Sequence, residues 1–172
     1  AIDFLSIDPD QYQTRIGEAI NHVRMLIGCN ALVVYEQNGT LLNRVFESTT
    51  SGKSSTLPEQ IDTDDNLIFS AYLLNKKPFL LESGTKIEPD IKHTFSRIFG
   101  ENLSMAAFFP LTYQDTFLGA VLFTPMEKML HWSNFEISVA HAFSLILSGV
   151  MHHINTERIL SNSTGFWWGP DR

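Results

Sequence analysis

Few side chains in this sequence have the type and spacing that chemistry requires, and each can be weighed in turn. Cys29 is the single cysteine. A lone thiol excludes an intramolecular disulfide and any multi-cysteine zinc or iron–sulfur centre. His152, His153 and Glu157 cluster near the C-terminus. On a helix His153 and Glu157 stand one turn apart, where a metal could bridge them, but no His-Glu-x-x-His pattern accompanies them. A solvated or subunit-facing helix surface explains them better. Gly52-Lys53-Ser54 has the ending of a phosphate loop, yet the position five before Gly52, which must be glycine, is Glu47. The segment therefore reads as a polar Ser/Thr-rich loop. No nucleophile–base pair or paired-carboxylate set can be assembled from spacing, so the chain is read as non-catalytic.

The elements that would position these residues are legible in the periodicity. Asp8-Pro9-Asp10-Gln11 has the residues of a helix start. Tyr12, Ile16, Ala19, Ile20, Val23, Leu26 and Ile27 form its apolar stripe, and Gly28 ends it. A hairpin follows, Ala31–Tyr35 and Leu41–Phe46 about an Asn38-Gly39 turn. Residues 48–56 read as loop, Asn66 to Asn75 as a short helix, Phe79-Leu80-Leu81 as a short strand, and Pro89 to Phe99 as a third helix. Two further strands, Ser104–Thr112 and Phe117–Thr124, are apolar on both pleat faces and so belong at the centre of a sheet covered on both sides. Ser133-Asn134-Phe135-Glu136 is a capping box opening a long final helix that runs to Leu160. Along it Phe143, Leu147, Val150 and Ile154 step by four, three and four, a heptad-like seam suited to a dimer. The order predicts an α+β fold with an antiparallel sheet.

Composition narrows the function. Apolar residues make up 44% of the 172, enough for one packed domain. Twelve basic against nineteen acidic residues give a net charge of −7, which argues against nucleic acid and against an anionic membrane surface. No unbroken apolar run reaches the ~20 residues of a membrane span, and no signal peptide is apparent. The first residue is Ala1 rather than Met, which suggests a piece of a longer protein. Residues 8–160 are expected to form one domain, with 161–172, including Gly165-Phe-Trp-Trp-Gly169, a tail or truncated linker toward an output domain.

In element order and in four local motifs the chain resembles a GAF domain, a sensory fold related to PAS domains. Met105-Ala-Ala-Phe-Phe-Pro110-Leu111 is similar to the family's apolar strand ending in Pro-Leu, and Leu118-Gly119-Ala-Val-Leu122 to its glycine-led partner. Lys77-Pro78-Phe79-Leu80 resembles its short strand after the pocket helix, and Trp132-Ser-Asn-Phe-Glu136 the start of its last helix. The resemblance spans residues 10 to 155. It implies a five- or six-stranded antiparallel sheet with the first and last helices on one face and short helices and loops roofing a ligand pocket on the other.

The resemblance further implies a cytoplasmic regulatory module of a bacterial-type signalling protein, a homodimer through its first and last helices. An unidentified small molecule would change the roof, and the paired final helices would relay that change. The pocket walls so implied are Tyr35, Phe46, Phe69, Tyr72, His93, Phe95, Met105 and Phe109, aromatic and poor in charge. Covalent bilin is disfavoured, because Cys29 follows the first helix and precedes Asn30 rather than His. The redox cycle of GAF-type methionine sulfoxide reductases needs several cysteines. The cyclic-nucleotide pattern is incomplete: Asn75-Lys76 is present, but no later Phe-x-x-x-Asp-Glu follows. Haem could use His93 or His141 as an axial ligand, though a hydrogen-bonded structural histidine is favoured at both. The rival function is a ligand-free dimerisation spacer.

Overall fold

Two hairpins build the sheet, and a third pair of short strands extends it on either side. The computed structural model describes residues 11–65, 71, 75–82, 89–100, 105–126 and 131–167, with the side chains of 90–92 and 160–167 excepted. Helix α1 (Tyr12–Ile27) leads into β1 (Ala31–Asn38), β2 (Leu41–Thr49) and β3 (Gln60–Asp62). After these come β4 (Phe79–Leu81), helix α2 (Pro89–Phe99), the hairpin β5 (Ala106–Tyr113) and β6 (Thr116–Thr124), and the long helix α3 (Asn134–Trp167). The six strands lie in the order β3-β2-β1-β6-β5-β4, every neighbouring pair antiparallel. The expected α+β architecture is present. β3, between the segment read as loop and the helix expected from Asn66, is an added edge strand. The proposed helix start at residues 8–10 and most of the proposed helix 66–75 lie outside the described residues.

Local chemistry explains the element ends. Gly28 closes α1 at φ 75°, its N–H donating to the Arg24 carbonyl at 2.9 Å. Arg24 is buried, and Leu26, expected on the inner stripe, is exposed. The guanidinium is satisfied where it lies, donating to the Ser48 hydroxyl at 2.8 Å and to Asn21 Oδ1 at 3.2 Å. At the first hairpin the two loop residues are Gly39 and Thr40, with Asn38 ending β1 and pairing with Leu41. Gly39, at φ 62°, takes the first loop position. The Ser133–Glu136 capping box forms as expected: Ser133 N–H donates to Glu136 Oε2 at 2.7 Å, and Glu136 N–H to Ser133 Oγ at 3.2 Å.

The second hairpin turns through Gln114 and Asp115, both left-handed, at φ 47° and 68°. Gln114 suits that conformation less well than asparagine, aspartate or glycine would. Lys76, itself at φ 60°, forms an ion pair with Asp115 and joins the turn before β4 to the hairpin tip. Gln114→Asn keeps that pair and relieves the first loop position. It is expected to raise stability by about 0.5 kcal/mol, read as a higher urea midpoint at unchanged slope.

Two hydrophobic cores lie on opposite faces of the sheet. On one, α1 and α3 cover Leu32, Val34, Ala107, Phe109, Leu111, Val121 and Phe123. On the other, Val33, Tyr35, Leu42, Ile61, Leu81, Ala106, Phe108, Ala120 and Leu122 of the sheet meet Leu57 and Phe95 from the roof. The double-sided burial of β5 and β6 expected from their composition is met. By length and composition α3 over Asn134–Ile159 is apolar enough to cross a bilayer, although no unbroken apolar run marks it. One stripe of it, Ala140, Phe143, Leu147, Val150 and Met151, is instead buried in the helix-side core.

Candidate functional site

Strand alternation decides which aromatics can share a site. Along β1 the odd residues Val33 and Tyr35 face the roof, while Leu32 and Val34 face the helices. Two bulges reset this parity on the neighbouring strands. Val34 pairs with Phe46 but Tyr35 pairs with Arg44, so Val45 is the extra residue of β2. Leu111 pairs with Gly119 but Thr112 with Phe117, so Leu118 is the extra residue of β6.

The expected pocket residues are therefore divided. Tyr35 and Phe95 meet in the roof-side core. Met105 and Phe109 lie in the helix-side core, and Phe46 packs against it. Phe46 would share the face of Leu42 in an unbulged strand; the Val45 bulge turns it over. Met105 and Phe109 point away from the roof because Ala106 and Phe108, between them, take the roof-facing positions. His93 is exposed on α2. Phe69 and Tyr72 lie outside the described residues. These eight residues cannot line a single pocket.

Apart from Phe95, the roof-side site is built on aromatics that the sequence pattern does not single out. Phe79 of β4 stacks on Phe95 of α2 at 4.7 Å between centroids, and Phe95, Phe99 and Phe79 surround Phe108 at 5.4, 5.1 and 6.5 Å. Phe117 packs against the same cluster. The shared parity of Ala106 and Phe108 is the signal that selects Phe108 over Phe109, once the first buried residue of β5 is assigned to the correct face.

Polar groups close the β2 side of this site. The Tyr35 hydroxyl donates to the Pro58 carbonyl at 2.8 Å. Arg44, opposite Tyr35, donates to the Leu57 carbonyl at 2.8 Å and the Ser55 hydroxyl at 3.2 Å, with Glu47 and Glu59 carboxylate oxygens at 3.7 and 3.5 Å. Burial pushes the Tyr35 phenol well above its ordinary range, and nearby Arg44 opposes that only in part. Burial also works to raise the Glu47 carboxyl. The Ser55 N–H, the Ser54 hydroxyl and Arg44 outweigh it and hold the group below the usual carboxylate range. Tyr35 of β1 and Arg44 of β2 are thus both committed to pinning the loop 50–59. The rest of the roof-side cluster is aromatic, with Phe95 and Phe108 buried in it.

Cys29 lies on the other face. It is fully buried in the helix-side core, and burial pushes its thiol up to about 12 against the opposing pull of Arg24. A protonated thiol on that side is not placed to attack a chromophore under the roof. Native protein at pH 8 is expected to react with a disulfide reagent at least about a hundredfold more slowly than urea-unfolded protein, followed by absorbance. Because the folded thiol titrates above the unfolded one, its contribution to stability is whole below about pH 9 and is lost as pH rises toward 12. His141 is exposed on α3, its ring 6.4 Å from Phe109 on this same side. His153 Nε2 stands 3.1 Å from Glu157 Oε1, and the described residues hold no group of three metal-ligating side chains.

The seam expected to join two subunits is internal. Phe143, Leu147 and Val150 are buried in the helix-side core, and Ile154 packs against it. They are the residues by which α3 sits on the sheet. The exposed large apolar residues of the two terminal helices, among the described residues, are Met25 and Leu26 on α1 and Phe135, Leu145, Ile146 and Ile159 on α3.

A six-stranded antiparallel sheet carries the terminal helices on one face and a roof of short elements, α2 among them, on the other, an α+β architecture. Comparison with solved structures gives it a name. The GAF domain of PixJ from Thermosynechococcus elongatus superposes with a TM-score of 0.60 at 15% identity, covering 91% of this chain and 96% of that one. A GAF domain/HD domain protein from Geobacter sulfurreducens gives 0.64 at 14% identity, over 87% and 96%. The GAF domain of an Acinetobacter phosphoenolpyruvate-protein phosphotransferase gives 0.64 at 13% identity, over 88% and 86%. No family model matches the sequence, and no curated protein does. The likeness is one of structure: this chain has the GAF fold.

Proposed function

We propose that this GAF-fold domain is a non-catalytic sensory or regulatory module of a signalling protein. It binds a small molecule against the roof side of its sheet and passes the bound state to α3. The observation that carries this reading is the division of the two faces. One is sealed by the terminal helices, while on the other Phe79 and Phe108 of the sheet meet Phe95 of a roof of short elements. An aromatic floor with few free polar groups suits a planar, largely apolar ligand. The solved GAF domains it resembles, one of them from the receptor PixJ, support the sensory role.

We also propose that the working unit is a homodimer, through the outer faces of α1 and α3 rather than the heptad stripe that the sheet consumes. Leu145, Ile146 and Ile159 would meet their counterparts beside Met25 and Leu26. The ligand reading is tested by thermal denaturation of the purified chain with haemin, biliverdin, cyclic AMP and cyclic GMP, each in large excess over the protein. A ligand at a hundredfold its Kd adds about 2.7 kcal/mol. A saturable rise in Tm with one of them, abolished by Phe108→Ala in a variant that still folds, supports the reading. A flat response across the panel favours the dimerisation spacer.

A further inference from the structure

We propose that the three residues of β4 couple the roof to the first turn of α3, with Trp132 as the positioning residue that makes the join. β4 is the edge strand beside β5, so its outer side is where the two cores can meet without the sheet between them. Its residues are shared between the faces. Phe79 stacks on Phe95 of α2, Leu81 is buried in the roof-side core, and Leu80 packs against the helix-side core. The Leu81 carbonyl accepts the indole N–H of Trp132 at 3.3 Å, and the Trp132 ring is itself buried in the helix-side core. The next residue, Glu82, places Oε1 3.4 Å from the Trp132 backbone N–H and Oε2 3.0 Å from His131 Nδ1.

Directly after Trp132 the Ser133–Glu136 capping box begins α3. From α2 to the cap of α3 there is thus an unbroken run of direct contacts: Phe95 to Phe79, along β4 to the Leu81 carbonyl, and on to Trp132. A displacement of the aromatic roof moves a three-residue strand more readily than the long central strands, and that strand holds the helix cap. Packed chains of this kind carry coupling where they join elements that move as units. The purpose assigned to this device rests on the sensory reading above, but the coupling itself is measured without any ligand. Failure of the coupling would leave the thermal-shift result standing, and a flat thermal shift would leave the coupling standing.

The experiment is hydrogen–deuterium exchange of the whole chain in four forms: unaltered, Phe95→Leu, Trp132→Phe, and the double variant. Trp132→Phe keeps an aromatic ring and removes the indole donor. In the otherwise unaltered chain, Phe95→Leu is expected to speed exchange of the amides of 134–140 roughly tenfold more than those of α1. In the Trp132→Phe background that extra acceleration is expected to vanish. Equal acceleration in α1 and α3, no response at 134–140, or the same increment in both backgrounds would overturn the proposal. If Phe95→Leu does not fold, Phe79→Leu perturbs the same stack from a partly buried position and is judged by the same criteria.

Discussion

Gly119→Ala is expected to lower the stability of the domain by at least about 3 kcal/mol, a fall in Tm of roughly 10 °C for a chain of this size. The reason is backbone against backbone. A Cβ at Gly119 would lie 2.0 Å from the Tyr35 carbonyl oxygen and 3.0 Å from its carbon, with Glu36 Cα at 3.2 Å. None of these atoms can rotate away as a side-chain end could. Gly119 pairs with Glu36 across the two central strands, immediately after the Leu118 bulge. Relief requires β1 and β6 to part where both cores depend on their alignment. Gly149→Ala is the control, since Gly149 sits inside α3 and a methyl there would meet nothing within 4 Å. It should raise stability by about 0.5–1 kcal/mol, the usual helix-interior gain over glycine. Paired thermal melts measure both, and Gly119→Ala melting within about 2 °C of the parent would show that the sheet can absorb the methyl there.

The same bulges explain why the fold is more legible than the site. Elements follow from local signals: the Ser133–Glu136 box, Gly28 and Gly100 at helix ends, and the two-sided apolar runs of β5 and β6 all act over a few residues. Facing depends on parity, and parity accumulates along a strand until one extra residue reverses it. Val45 and Leu118 have nothing unusual in their own side chains to mark them as bulged, although Gly119 stands next to the second. Parity counted without the Val45 bulge puts Phe46 under the roof. On β5 composition alone cannot choose between Phe109 and Phe108, and it is Phe108 that meets Phe95 and Phe99. Arg44 is hidden for another reason: its main partners are the carbonyl of Leu57 and the hydroxyl of Ser55, whose positions exist only once the loop has folded back over β2.

Val150→Glu is expected to unfold the domain, whereas Leu145→Glu should leave it folded and abolish self-association. A long helix with apolar residues on more than one side offers two readings of which stripe meets the sheet and which meets a second copy. Spacing favours Phe143, Leu147, Val150 and Ile154 for the partner because they form the most regular seam. The sheet is the larger apolar surface, and it takes that seam. Val150 is 7% exposed within the helix-side core, so a carboxylate there has no water and no partner supplied by the substitution. The cost is about 3–5 kcal/mol, a large share of the stability of a domain this size. Leu145 is 60% exposed, and a surface change of that kind moves stability by no more than about 0.5 kcal/mol. Circular dichroism melts and sedimentation velocity on both variants separate the two roles. A folded but monomeric Val150→Glu protein would return the heptad stripe to the dimer interface. A Leu145→Glu protein that still sediments as a dimer would move the interface off the outer face of α3.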